Sequence, residues 1–218
     1  MKNNLKKIAV TIPCHNEAVA ISGVVSAFAN AIPEADIFVY DNVSTDGTAE
    51  IAKKSGAIVC TEPNKGKGNV VRRMFADIDA DIYVIVDGDG TYDASKCSEM
   101  IRRLVDNNLD MVTATRKAIN SKDAYRPGHI FGNWVLTRAV SYLFGHGFTD
   151  MLSGYRVMSR RFVKSFPIIS KGFEIETEMT IHALQMRVPY EELETMYDSR
   201  PEGSESKLST FKDGLRIL

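Results

Sequence analysis

The chain has 218 residues, 44% of them apolar and 25% charged. That is the balance of a soluble globular protein long enough to bury roughly 70% of its unfolded surface without a disulfide or zinc scaffold. Lysines and arginines number 27 against 28 aspartates and glutamates, a formal net charge of -1, which excludes the whole molecule as a polyelectrolyte partner of nucleic acid.

Any basic site is therefore local. No apolar run reaches the about 18 to 20 residues of a membrane-spanning helix. The opening MKNNLKKIAV lacks the apolar stretch of a secretory signal. Cys14, Cys60 and Cys97 share no motif spacing, a pattern that fits a reducing cytosol.

In chain order, KIAVTI (7–12) predicts a buried strand and PCHNEA a turn leading into a helix from residue 15 or 16 to about 30. DIFVY (36–40) predicts a second strand ending at Asp41. NVSTDGTAEIAKKSG predicts a polar loop and a short helix stopped by Gly56. AIVCT is a third strand, NKGKG a tight turn, NVVRRMFADI a helix, and DIYVIVD the fourth and most apolar strand. A helix over 94–107 and a strand LDMVTAT follow.

The segment 115–128 is polar and basic, and GNWVLTRAVSYLFG is a helix with a mostly apolar surface. Trp134, Tyr142 and Phe144 on it are core or membrane-facing. GYRVMS is a strand, after which Arg160 and Arg161 form a solvated helix start or a membrane-facing patch; FEIETEMTIHALQM is a helix with a structural His182, and VPYEELET a strand. Strands alternating with helices predict crossovers and a largely parallel sheet covered on both faces. No composition break divides the chain, so a single domain over 1–218 is expected.

In an open parallel sheet, ligands bind at the carboxyl ends of the strands. Those ends carry Pro13, His15, Asn16 and Glu17; Asp41, Asn42, Ser44 and Asp46; Asn64, Lys65, Gly66, Lys67 and Gly68; then Asp87, Asp89, Thr91 and Asp93. Any one aspartate is as well explained as a helix cap. The convergence of four polar strand ends is not. Asp87 and Asp89, one residue apart after a buried strand, are hard oxygen ligands suited to Mg²⁺ or Mn²⁺ with positions left for substrate phosphates. NKGKG lacks the P-loop spacing; it reads as a phosphate cradle, a surface against a base, or a plain turn.

VTIPCHNEA, YDNVSTDGT, NKGKGNVVR, VIVDGDGTYD, DMLSGYRVMSRRF and GFEIETEM together resemble the family 2 glycosyltransferases, in order over nearly the whole chain. The most similar group is the polyprenyl-phosphate hexosyltransferases, which include dolichol-phosphate mannose synthase and bacterial undecaprenyl-phosphate enzymes. The resemblance implies an α/β GT-A fold: a Rossmann-like, mostly parallel sheet with helices on both faces. It implies inverting transfer of a hexose from UDP-hexose or GDP-mannose to a polyprenyl phosphate, in cell-envelope glycan synthesis at the cytoplasmic face of the membrane.

Pro13, His15, Asn16, Glu17, Asp41, Asn42, Lys65, Gly66, Asp87, Gly88 and Asp89 would hold the nucleotide sugar, with Mg²⁺ or Mn²⁺ on Asp87 and Asp89. Arg116, Lys117, Arg126, Arg156, Glu176, Arg200 and Lys207 would line the acceptor and phosphate side, beside Glu174. Asp89, Asp150 and Arg126 would act directly, Asp150 as base if the acceptor is an alcohol. The group often continues into C-terminal transmembrane helices, whereas this sequence stops at GLRIL; either it belongs to a subgroup without such anchors or, the reading favoured here, a membrane segment follows. LSTFKDGLRIL reads as an interfacial or an ordinary surface helix.

Three other readings stand beside this one. A soluble family 2 enzyme would act on a sugar hydroxyl. A degenerate protein would bind a sugar nucleotide without transfer. The string DGDGT also opens haloacid-dehalogenase-like phosphatases, with Asp87 as nucleophile; that motif usually follows a first strand, not a fourth.

Overall fold

The computed structural model describes residues 6–118, 148–204 and 207, together with Thr137, Arg138, Val140, Tyr142, Phe144 and Gly145. Its elements run β1 (Ile8–Cys14), α1 (Ile21–Ala31), β2 (Asp36–Asp41), α2 (Thr48–Lys54), β3 (Ile58–Thr61), α3 (Lys67–Asp77) and β4 (Ile82–Ile85). A 3₁₀ turn at Ala94–Lys96 leads into α4 (Cys97–Asp106). Then come β5 (Met111–Ala118), β6 (Arg156–Ser159), α5 (Arg160–Ser165), α6 (Ile175–Gln185) and β7 (Tyr190–Tyr197).

The seven strands form one sheet in the order β3-β2-β1-β4-β6-β5-β7. Neighbours are parallel except β6, which runs antiparallel to both β4 and β5. Strand period 2 divides the core. Ile8, Val10 and Ile12 of β1 join α1 and α4 on one face, while Ala9 joins α3, α5 and α6 on the other. Thr11 shares the second face, where its hydroxyl donates to the Val84 carbonyl (2.9 Å). β3 is an edge strand, which leaves Ile58 half exposed rather than buried.

Two element starts differ from expectation. α1 begins at Ile21, not near Asn16, because Asn16 adopts φ 54° and carries the chain through a turn. α3 begins at Lys67, inside NKGKG, with Gly66 at φ 124° just ahead of it. Gly56, at φ 97°, ends α2 as expected. His182 packs against Phe162 and Phe166, in line with a structural role. Tyr142 is 89% exposed. Trp134, Arg126 and the segment 208–218 lie outside the described residues. Among the described residues no helix is long and apolar enough to cross a membrane.

Candidate active site

The carboxyl ends of β1, β2 and β4 open on one cavity of about 270 Å³. Pro13, His15 and Glu17 line it from the first strand end and Asn42 from the second. Lys65, Gly66 and Lys67 line it from the β3–α3 connection, and Asp87, Gly88 and Asp89 from the fourth strand end. Arg200 and Lys207 reach it from the segment after β7. Asn16 and Asp41 are not among the residues that line it.

The first two strand ends are tied to each other. The Asn16 amide donates to Ser44 Oγ (2.9 Å), and Asn16 Oδ1 accepts from the Thr45 amide (2.8 Å). Asp46 accepts from the amides of Ala18 and Thr48 and from the Thr48 hydroxyl. Burial opposes its ionisation, yet these bonds hold its carboxyl below the usual range. Asp46 is thus a clasp between two loops. His15 Nδ1 lies 2.8 Å from the Asn42 carbonyl, which orients the ring. Asp41 is buried; its Oδ2 accepts from the Ser44 amide (3.1 Å), and its Oδ1 meets no hydrogen-bond partner among the described residues.

Asn42 is committed to the backbone. Its Nδ2 donates to the carbonyls of Glu62 (2.7 Å) and Asn64 (2.9 Å), and its Oδ1 accepts from the Gly66 amide (2.8 Å). It shapes the wall rather than offering a side-chain hydrogen bond.

The phosphate-cradle reading of NKGKG fails for the same reason. The amides of Gly68 and Asn69 at the start of α3 donate to the carbonyls of Gly172 (3.1 Å) and Lys171 (3.4 Å). A Cβ on Gly66 or Gly68 would overlap the backbone of Lys171 or Ser170, so these glycines admit a crossing chain rather than a ligand.

The centre of the site is ionic. Lys67 bridges Asp87 and Glu176. Burial lowers its ammonium pKa, but the two carboxylates outweigh that and push it up. Asp89 is buried; Oδ1 accepts from the Thr91 amide (3.1 Å) and hydroxyl (2.6 Å), and Oδ2 pairs with Arg200 Nη2 (2.7 Å). Arg200 Nη1 also reaches Glu17 Oε1 (3.3 Å). Burial, then the neighbouring Asp87 charge, raises the Asp89 pKa; burial raises those of Glu17 and Glu176. Burial, then the surrounding carboxylates, lifts the Cys14 thiol far above its ordinary range, which leaves it unreactive.

Among the described residues no group of three or more His, Cys, Asp or Glu side chains forms a metal cage. Two carboxylates from one rigid strand end still suit Mg²⁺ or Mn²⁺, which take one or two protein carboxylates and complete their shells with water and substrate phosphates.

The chain 150–154 also comes up against Asp87. Gly154 packs so closely that a Cβ there would sit 2.7 Å from Asp87 Cγ. Its amide donates to the Tyr92 hydroxyl (2.8 Å). Asp150 accepts a forked pair from Arg116, Nε to Oδ2 and Nη2 to Oδ1, each 2.7 Å. Lys117 pairs with Glu194 (2.8 Å) on an exposed face.

Arg156 corrects its expected role. It is fully buried at the start of β6, donating to the carbonyls of Ser153, Met151 and Glu176, so it braces the site from below and cannot meet a phosphate. Glu176, also expected on the phosphate side, holds Lys67 instead; its charge would repel a phosphate. Lys67 was legible only as a strand-end lysine and Gly154 only as the first residue of the expected strand GYRVMS, and nothing local in the sequence marks their contact with Asp87.

The family model described as Glycosyl transferase family 2 matches residues 9–166. Protein RfbJ of Shigella flexneri is 57% identical over 122 residues, 56% of this chain and 95% of that protein. Glycosyltransferase AglJ of Haloferax volcanii is 35% identical over 208 residues, 95% of this chain and 68% of that protein. A more distant relative, an undecaprenyl-phosphate mannosyltransferase of Micrococcus luteus, is 23% identical over 224 residues, 93% of this chain and 88% of that protein. Among solved structures, glucosyl-3-phosphoglycerate synthase of Mycobacterium tuberculosis with Mn²⁺, UDP-glucose and phosphoglyceric acid superposes with a TM-score of 0.78 at 19% identity. That match covers 97% of this chain and 77% of the other, and it shows the GT-A fold.

Proposed function

The chain belongs to the family 2 glycosyl transferases, and on that premise we propose that it moves a hexose from a nucleotide sugar, UDP-hexose or GDP-mannose, to a polyprenyl phosphate at the cytoplasmic face of a membrane. One observation carries the donor half. A single cavity is lined by the Asp87 and Asp89 carboxylates and by the cations Lys65, Arg200 and Lys207, the two kinds of group that a metal-bound diphosphate needs. Asp87 and Asp89 would hold Mg²⁺ or Mn²⁺, which supplies charge neutralisation to the departing nucleoside diphosphate. Arg200 and Lys207 would face the charge that develops as it leaves. Lys67 and Gly154 fix where Asp87 stands. The solved relative that holds Mn²⁺ and UDP-glucose supports this reading.

The acceptor half rests on Asp150. An alcohol acceptor needs a general base, and both Asp150 oxygens are engaged by Arg116. A phosphate acceptor arrives as an anion and needs only to be held close to the anomeric carbon. The relative that is an undecaprenyl-phosphate mannosyltransferase supports this acceptor class. Arg116 and Lys117 stand where β5 leaves the sheet, and Arg126 lies on the adjoining basic segment. A second reading, transfer to a soluble acid or sugar hydroxyl, draws on the structural relative that holds phosphoglyceric acid; there the Arg116–Asp150 fork must open to free a base.

The test is a transfer assay with labelled UDP- and GDP-sugars, Mn²⁺ or Mg²⁺, and undecaprenyl phosphate in detergent. Label in the lipid phase, absent with Asp87→Asn, is the expected result. Label only in a water-soluble product selects the second reading. No transfer to any acceptor, with donor still bound, removes the enzymatic reading.

A further inference from the structure

Asp89 presents no oxygen without a partner. Thr91 takes Oδ1 twice, and Arg200 takes Oδ2. A divalent cation that comes to Asp89 therefore meets a carboxylate already neutralised by a guanidinium, and two cations side by side repel. One of the cations in the site must yield. Lys67 is poorly placed to do so, since it is 11% exposed and clamped between two carboxylates. Arg200 is 27% exposed and stands on an irregular segment after β7. Its contacts with Glu17 Oε1 and Ser204 Oγ are both long, at 3.3 Å.

The backbone beneath it is anchored. The Asp198 amide donates to the Thr91 carbonyl (2.9 Å), and Pro201 lies close against Gly90. The side chain can thus swing while its base stays fixed. Arg200 lines the same cavity as Asp87 and Asp89, so the swing keeps it within the site.

We propose that Arg200 exchanges partners: it holds Asp89 before a divalent cation binds, and it passes to the diphosphate of the incoming nucleotide when the cation takes Asp89. This rests on the donor reading above and adds a coupling to it. The cation releases the guanidinium that the diphosphate needs, and the diphosphate keeps that guanidinium away from Asp89. Cation and nucleotide then bind better together than apart, by a coupling that works in both directions.

The coupling predicts effects of opposite sign from one substitution. In Arg200→Gln, binding of Mn²⁺ alone, read by the electron paramagnetic resonance signal of the free ion, tightens about tenfold, the order expected on removing a unit charge near a divalent ion. Binding of UDP or GDP in the presence of saturating Mn²⁺, read by calorimetry, weakens about tenfold or more, the size of one charge-assisted contact. Arg200→Lys keeps the charge and lies between wild type and Arg200→Gln in both titrations. Thermal melts confirm that each variant is folded. A merely structural arginine would move both affinities in the same direction. Mn²⁺ affinity in Arg200→Gln equal to or weaker than wild type, while wild type itself binds Mn²⁺, overturns the exchange and leaves the metal site standing. Absence of Mn²⁺ binding in wild type, with and without nucleotide, overturns the exchange and the metal reading together.

Discussion

Gly154→Ala isolates the position of Asp87 from the stability of the fold. Gly154 is not among the residues with positive φ, so alanine suits its backbone and by itself stabilises by about 0.4 to 1 kcal/mol through the unfolded chain. The new methyl would lie 2.7 Å from Asp87 Cγ and 2.9 Å from its Oδ1, whereas ordinary contact begins at 3.4 Å. Asp87 Oδ2 would be nearer still, so the carboxylate must retreat by at least about 0.7 Å while Lys67 holds its Oδ1. A misplacement on the order of 1 Å at a reacting or positioning group costs about 100-fold in rate. The expected outcome is kcat/KM down by about two orders of magnitude, weaker Mn²⁺ binding, and a melting temperature within a few degrees of wild type. Activity and Mn²⁺ affinity at wild-type levels would show that the placement of Asp87 against Gly154 has no bearing on the reaction.

Lys67→Met leaves Asp87 and Glu176 facing each other without a cation and is expected to destabilise by about 3 kcal/mol, the low end for a broken buried pair because Asp87 is partly exposed. Adding Glu176→Gln recovers at least about 1 kcal/mol in urea unfolding; strictly additive losses refute the bridge. Val43 is β-branched, 37% exposed and held at φ 60°. Val43→Asn is therefore expected to stabilise by about 1 kcal/mol, and a lower urea midpoint would mean that its methyls pack usefully.

Glu17 has a pKa raised above 4.5, first by burial and against the pull of Arg200. The folded state holds this proton more readily than the unfolded chain. Its favourable contribution is full below pH 4.5 and is lost as pH rises through the folded value. Glu17→Gln should gain stability relative to wild type as pH rises through that window. A pH-independent difference between their unfolding curves contradicts the shift.

The strands were legible because each buried one is a short apolar run flanked by turn residues, and the polar strand ends announced which edge of the sheet carries chemistry. What sequence could not show is long-range. The direction of β6 is set by the connection that delivers it, and RVMS reads the same either way. The start of α1 slips because Asn16 spends its side chain on a loop about thirty residues away in sequence, bonding Thr45. NKGKG looks like an anion site until the carbonyls of Lys171 and Gly172 take its amides. Arg156 is charged and so reads as a ligand, whereas three backbone carbonyls consume it. Lys67 becomes visible only when α6 brings Glu176 beside it.

The antiparallel insertion of β6 also sets an order of assembly. β1 to β4 join by nearby crossovers into a contiguous block, β3-β2-β1-β4, whose contacts are available as soon as the chain has been made that far. β5 cannot attach to that block directly; it waits for β6 to enter between them, and its outer edge waits for β7, where Arg116 pairs with Thr195. Pairings between such distant segments are slow to form and leave strand edges open meanwhile. The amides of Thr149 and Asp150 gain their Glu192 partner only with that last strand. A ribosome therefore releases the Asp87–Asp89 edge early and completes the Asp150 edge last. During synthesis the interval between β4 and β7 is when this chain most needs protection from aggregation.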